Sequence, residues 1–162
     1  ANKEKSRIFL EKAKEEGADL LIFPEMTLTG FSMNVEKTTR DWEDQLAWFK
    51  EMSIEYDMAL VCGIAESKKS SECKEDEANP LSSTNHLVII ENGEIRMDYA
   101  KIHPFSYGEE SKHFLGGSKV CTTLLKAVKM GGFVCYDLRF PEIFQISSDY
   151  SELIVVIANW PA

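Results

Sequence analysis

Three residues that could take part in covalent chemistry each follow a short apolar run. Glu25 follows Leu20-Leu21-Ile22-Phe23-Pro24, Lys101 follows Tyr99-Ala100, and Cys135 follows Gly131-Gly132-Phe133-Val134. Open α/β sheets gather their sites just outside strand ends, where a side chain and the next backbone N–H are both displayed. A thiol nucleophile needs a base for its proton and a donor for the oxyanion it creates, and here a carboxylate and an ammonium occupy equivalent positions. Each residue also has a plainer reading. Free cysteine is among the most buried residue types, and a Glu after Pro or a Lys at a strand end is ordinarily solvated surface. It is the conjunction that points to chemistry. A thiol beside a lysine, at the start of a short helix, is expected to ionise more readily than free cysteine.

A Cys–His pair is the competing arrangement, and the sequence offers His86, His103 and His113. No thiol-protease motif surrounds any of them. No pair of His or Cys has metal-ligand spacing, so neither a metal nor another cofactor is expected. His103, two residues after Lys101, is expected to shape a pocket entrance. Phe31, Tyr107 and Trp160 are candidate pocket linings, with plain core as the alternative.

The elements that must position these residues read as an alternation of helices and strands, hence an α/β domain over residues 1–162. Asn2 to Glu16 reads as a helix stopped by Gly17, and Asp41 to Tyr56 as a second one with Trp42, Leu46, Trp48 and Phe49 on its apolar side. Leu20 to Pro24 and Leu153 to Ala158 read as strands buried on both faces, with a loop from Glu25 to Lys37. Met58 to Ala65 is a further strand, and Ser67 to Pro80 a polar surface loop or hairpin tip. Asn85 to Ile90 and Glu94 to Ala100 form a hairpin across Asn92-Gly93. Ser118 to Leu125 and Ala127 to Val134 are two more strands, and Pro141 to Ser147 a short helix with proline in its first turn.

With 162 residues, 44% of them hydrophobic, the chain is long enough for its own core. A net charge of -9, from 27 acidic against 18 basic residues, argues against nucleic acid or an anionic membrane surface as partner. Cys62, Cys73, Cys121 and Cys135 contain no C-x-x-C pair and no signal peptide precedes them, so reduced thiols and a cytoplasmic location are expected.

Together, Phe23-Pro24-Glu25 with Thr29-Gly30-Phe31, Tyr99-Ala100-Lys101-Ile102-His103, and Val134-Cys135-Tyr136-Asp137-Leu138-Arg139-Phe140-Pro141-Glu142 resemble the three motif blocks of the nitrilase, or carbon–nitrogen hydrolase, superfamily. Asn85, the Asn92-Gly93 turn and Ala158-Asn159-Trp160-Pro161 agree with it, and the cysteine block is most similar to omega-amidase-type amidases. The resemblance implies a four-layer α-β-β-α sandwich, here incomplete. A first strand is expected before the opening helix and further elements after Pro161, with homodimers or higher homo-oligomers as the assembly.

The resemblance further implies that Cys135 attacks an amide carbon, that Glu25 is the general base and then the acid, and that Lys101 and the Tyr136 N–H hold the oxyanion. A second glutamate is implied in Gly108-Glu109-Glu110, where the spacing to Phe114 and Gly117 favours Glu110 over Glu109. Phe31, Tyr136, Asn159 and Trp160 are implied around the substrate, a small amide hydrolysed by water. Arg139 and Lys37 are candidate clamps for a substrate carboxylate. A non-catalytic fragment acting as a binding or assembly partner is the alternative.

Overall fold

Helix α1 (Asn2–Glu15) is rich in Lys, Glu and Ala and stops where Gly17 takes a left-handed φ of 73°. In the computed structural model, which describes residues 1–67, 83–107 and 109–160, it is followed by β1 (Leu20–Ile22), α2 (Val35–Thr39), α3 (Trp42–Glu55), β2 (Ala59–Ser67), β3 (Ser83–Glu91) and β4 (Glu94–Ala100). Then come β5 (Thr122–Leu125), β6 (Val128–Val134), α4 (Pro141–Ser148) and β7 (Leu153–Ile157), with 3-10 turns at Glu110–Lys112 and Cys135–Arg139.

The strands form two sheets, ordered β1-β2-β3-β4 and β5-β6-β7. In the first, β1 and β2 are parallel while β3 is antiparallel to both β2 and β4; in the second, β6 runs parallel to β7. Alternation along β2 divides two cores. Leu60, Cys62 and Ile64 face Leu10, Trp48, Phe49 and Met52 of the α1–α3 layer. Ala59 and Val61, with Leu87, Met97 and Tyr99, pack against Met130, Val134, Val155 and Ile157 of the second sheet. Behind that sheet the ring of Phe144 of α4 lies 4.4 Å from that of Phe133, tilted by 44°. The order of layers is therefore helix, sheet, sheet, helix.

Several elements differ from the expectation. The segment read as a loop up to Lys37 contains the start of α2, where the Asn34 side chain accepts a bond from the Lys37 N–H at 2.9 Å and nucleates a turn. The strand expected from Ser118 begins only at Thr122, and β1 and β7 are shorter than their apolar runs. Neither is buried on both faces. Ile22 is 46% and Leu153 43% exposed, on the outermost of the strands described in each sheet. An apolar run records the capacity to be buried, not the position in a sheet. The Asn92-Gly93 turn, with φ of 51° and 76°, has the two left-handed residues that a two-residue hairpin requires. The stretch 68–82, including Cys73, lies outside the described residues, while Ser67 closes β2. Among the described residues no helix is long and apolar enough to cross a membrane.

Candidate active site

The carboxyl ends of β1, β4, β6 and β7 open toward one place, joined by the beginning of the antiparallel strand β3. Glu25 lies three residues beyond β1 and is fully buried. Two features fix its loop. Met26 takes a left-handed φ of 47°, and Gly63 of β2 lies so close that a Cβ there would stand 2.5 Å from the Met26 nitrogen. Only glycine permits that approach. Thr27 completes the seam, its N–H donating to the Gly63 carbonyl at 3.0 Å and its hydroxyl accepting from the Gly63 N–H at 3.1 Å.

Lys101 follows β4 directly and is 1% exposed. Its Nζ donates to Glu25 Oε1 at 3.0 Å and to Glu110 Oε2 at 2.8 Å. Burial alone would push this ammonium down. The charges and hydrogen bonds of the two carboxylates outweigh it, and its pKa is raised above the usual lysine value. Glu110 is fully buried and also accepts from the Phe105 N–H at 2.6 Å. Glu109 points elsewhere: it pairs with Lys112 on the surface, 62% exposed. The geometry thus separates the two adjacent glutamates in the sense that the spacing favours, Glu110 lying buried against Lys101 and Glu109 solvated.

Asn85 on β3 was quoted among the family motifs above, but no chemistry singled it out. Its Nδ2 donates to Glu25 Oε1 at 2.8 Å and to Glu110 Oε1 at 3.0 Å. The available signal was an asparagine inside an apolar strand, a position where a side-chain amide must find partners. The Asn159 N–H, just beyond β7, donates to Glu25 Oε2 at 3.1 Å. Residues from the ends of three other strands therefore converge on the Glu25 carboxylate.

Cys135 begins the 3-10 turn after β6 with a left-handed φ of 50°, a strained conformation for a residue with a Cβ. The buried carboxylate of Asp137 holds this elbow. It accepts from the Val134 N–H at 3.0 Å and the Tyr99 hydroxyl at 2.8 Å, and from the His103 N–H at 3.0 Å with His103 Nδ1 at 2.9 Å. The elbow is thereby tied to both flanks of Lys101. Asp137 is the second residue that sequence reasoning did not single out.

The expected easy ionisation of the thiol is overturned. Burial first, then the charge of Glu25, push Cys135 up to about 11, against the smaller pull of Lys101 and of the Asn159 N–H.

A cavity of about 540 Å³ opens onto Cys135 and Lys101, lined also by Phe31, Tyr136, Arg139, Asn159 and Trp160. Three expectations need correction. Tyr107 is 86% exposed and Lys37 sits on the exposed face of α2, so neither lines this cavity. His103 does not line it either; its ring is engaged by Asp137 and stacked 3.6 Å from Phe140. The described residues Glu66, His86 and Asp98 come within ligand-like distance of one another, but both ring nitrogens of His86 are occupied. Nδ1 faces Asp98 at 2.6 Å and Nε2 faces Thr84 at 2.6 Å and Glu66 at 3.4 Å.

The sequence matches the carbon-nitrogen hydrolase family over residues 1–161. It is 28% identical over 163 residues to a 2-oxoglutaramate amidase of Bacillus subtilis (strain 168), covering 99% of this chain and 59% of that protein. It is 27% identical over 144 residues to the omega-amidase YafV of Yersinia enterocolitica, covering 89% of this chain and 52% of that one. The fold is similar to the crystal structure of a carbon-nitrogen hydrolase from Helicobacter pylori G27, with a TM-score of 0.82 at 20% identity over 97% of this chain and 54% of the other. The chain spans between half and three-fifths of the length of these relatives. With a helix–sheet–sheet–helix layering that gathers a buried carboxylate, a buried ammonium and a half-buried thiol at neighbouring strand ends, and a family match across its length, this chain belongs to the carbon-nitrogen hydrolase family.

Proposed function

We propose that this chain carries the catalytic centre of an amidase that hydrolyses a non-peptide carbon–nitrogen bond through a thioester on Cys135. The observation that carries this reading is a fully buried Glu25 carboxylate, held by Lys101, Asn85 and the Asn159 N–H, beside a cavity that Cys135, Lys101 and Asn159 all line.

Glu25 takes the thiol proton as sulfur bonds to the amide carbon, and the carbonyl electrons move onto oxygen. Lys101 Nζ and the Tyr136 N–H hold that oxyanion, a contribution of about 3–4 kcal/mol per donor by analogy with other acyl-transfer sites. The carbon–nitrogen bond then breaks as Glu25 returns its proton to nitrogen, and ammonia leaves. Water attacks the thioester, giving one proton to Glu25; carbon–sulfur cleavage releases the acid, and that proton restores the thiol. Glu110 keeps Lys101 fixed and charged throughout.

The relatives named as omega-amidase and 2-oxoglutaramate amidase favour a short dicarboxylate monoamide as substrate. Arg139 is the cationic side chain at the cavity, besides Lys101, that can meet the free carboxylate. Residues 1–162 act in this reading as one catalytic domain of a cytoplasmic homo-oligomer, which sedimentation of the full-length protein tests.

Ammonia release from a panel of ω-amides, N-carbamoyl amines and simple amides is the decisive measurement. Cys135→Ala is expected to lower it at least about 10⁴-fold, to background. Equal rates in wild type and Cys135→Ala would leave a binding or assembly role instead.

A further inference from the structure

Asn85 presents an asymmetry that packing does not explain. Its two N–H groups go to two carboxylates, while its Oδ1 is buried without a hydrogen-bond partner. Leaving a buried acceptor unpaired costs about 1–3 kcal/mol. Turning the amide over would not relieve it, because Oδ1 would then face Glu25 and Glu110. The orientation is fixed by those two carboxylates and bears the cost of the orphaned oxygen.

The groups facing this amide and its partners come from every surrounding element: Glu25 beyond β1, Lys101 beyond β4, Glu110 in its 3-10 turn and Cys135 beyond β6. Two carboxylates there share one ammonium. Lys101 spends one bond on Glu25 Oε1 and one on Glu110 Oε2. Asn85 adds a second donor to Glu25 Oε1 and the single side-chain donor found on Glu110 Oε1 among the described residues. The four groups close a ring in which each carboxylate is bridged to the other twice, once through an ammonium and once through an amide.

We propose that Asn85 is a positioning residue for the reaction: its amide is the neutral bridge that lets Glu25 and Glu110 lie side by side as acceptors, so that Glu25 presents a free lone pair to the Cys135 thiol. This rests on the amidase reading for the role of Glu25, but it makes a separate claim. A neutral donor is required here because a second cation would pull Glu25 away from the thiol, and an acceptor would force one carboxylate to hold a proton. Asn85 acts through Glu25 and touches no reacting atom.

The test compares wild type with Asn85→Leu and Asn85→Asp, both close to isosteric, and with the smaller Asn85→Ser. Full-length protein is treated with iodoacetamide from pH 4 to 9, and Cys135 modification is followed by mass spectrometry. The acid limb of this profile reads the first ionisation of the buried cluster around Cys135 as a whole and needs no substrate. Donors to an ionised carboxylate favour ionisation, so removing them moves the limb to higher pH. At the wild-type midpoint, Asn85→Leu is expected to lose at least about tenfold in rate, Asn85→Asp more and Asn85→Ser less, with the plateau near pH 9 kept within about threefold. Where ammonia release is measurable, kcat/KM follows the same displaced limb.

A limb that coincides with wild type in every folded variant overturns the proposal, whatever happens to the plateau. So does loss of the folded state in all three variants, which would make Asn85 a structural residue. A protein that releases no ammonia from any amide but shows the displaced limb keeps the Asn85 inference while ending the amidase reading.

Discussion

Asn85 and His86 are neighbours on β3, and because successive strand residues point to opposite faces they serve two different polar clusters. Behind Asn85 lie Glu25, Lys101 and Glu110, all 1% exposed or less. Behind His86 lie Glu66 and Asp98, 27% and 45% exposed, on the helix-facing side of the sheet. The chemical groups are alike in the two clusters: two carboxylates around one basic side chain. Their energetics are not. Removing charges from water costs several kcal/mol per ion, which mutual attraction returns only when geometry and further hydrogen bonds are good. The Asn85 side meets that condition with backbone donors from Phe105 and Asn159. The His86 side has solvent to share the load. Burial at such cost, beside a strained cysteine and a cavity, is what favours the Asn85 side as the candidate site.

Mutations on the two faces should therefore diverge. The largest effect is expected for Lys101→Met, which leaves two buried carboxylates without their cation. It should lower kcat about 10²–10³-fold and destabilise the protein by about 3–5 kcal/mol, read by steady-state kinetics and urea melts. Comparable stability in Lys101→Met and wild type would mean that the cluster is less desolvated than its geometry implies.

Gly63→Ala comes next. Its new methyl group would meet the backbone of Glu25 and Met26 at 2.5–2.9 Å and must displace the base. Overpacking of this kind costs about 1–3 kcal/mol, and a shift of the base approaching 1 Å about 10²-fold in rate. A wild-type kcat in that variant would show that the loop after β1 moves without consequence.

On the opposite face, Asp98→Asn is expected to cost about 1 kcal/mol or less in a thermal melt, because the pair is half exposed. It should leave kcat and KM unchanged. Any tenfold loss of activity would join the two clusters across the sheet and end the contrast.

The smallest effect concerns the thiol itself. Since burial raises Cys135 to about 11, labelling by a neutral alkylating reagent should plateau through neutral pH, then rise again as pH approaches 11. The sign follows from a raised acid: the neutral thiol persists below 11 and the free thiolate appears only above it. A single rise centred near the ordinary thiol value would remove burial and Glu25 from the account.

Much of this site was legible before any coordinates. Glu25, Lys101 and Cys135 stood out because each reactive type follows an apolar run, a local pattern, and their order matched the family motifs. Asn85 and Asp137 were not singled out, since what makes them matter is a set of partners 25 to 60 positions away in the chain. Tyr107 and His103 were misassigned for the reverse reason. An aromatic or imidazole side chain near the right motif says nothing of which way it turns, and one turned to solvent and the other to Asp137.

By itself the sequence determined the alternation of elements and the family, and marked Cys135 as the candidate nucleophile, because periodicity, turn chemistry and motif order are properties of neighbours along the chain. Only the tertiary structure gave Glu110 its burial against Lys101 and Glu109 its place on the surface, pushed the Cys135 thiol up through burial, and bridged two carboxylates through Asn85. Those depend on burial and on charge at distances of about 3 Å across strands, where the local dielectric and the number of donors, rather than residue type, set the chemistry.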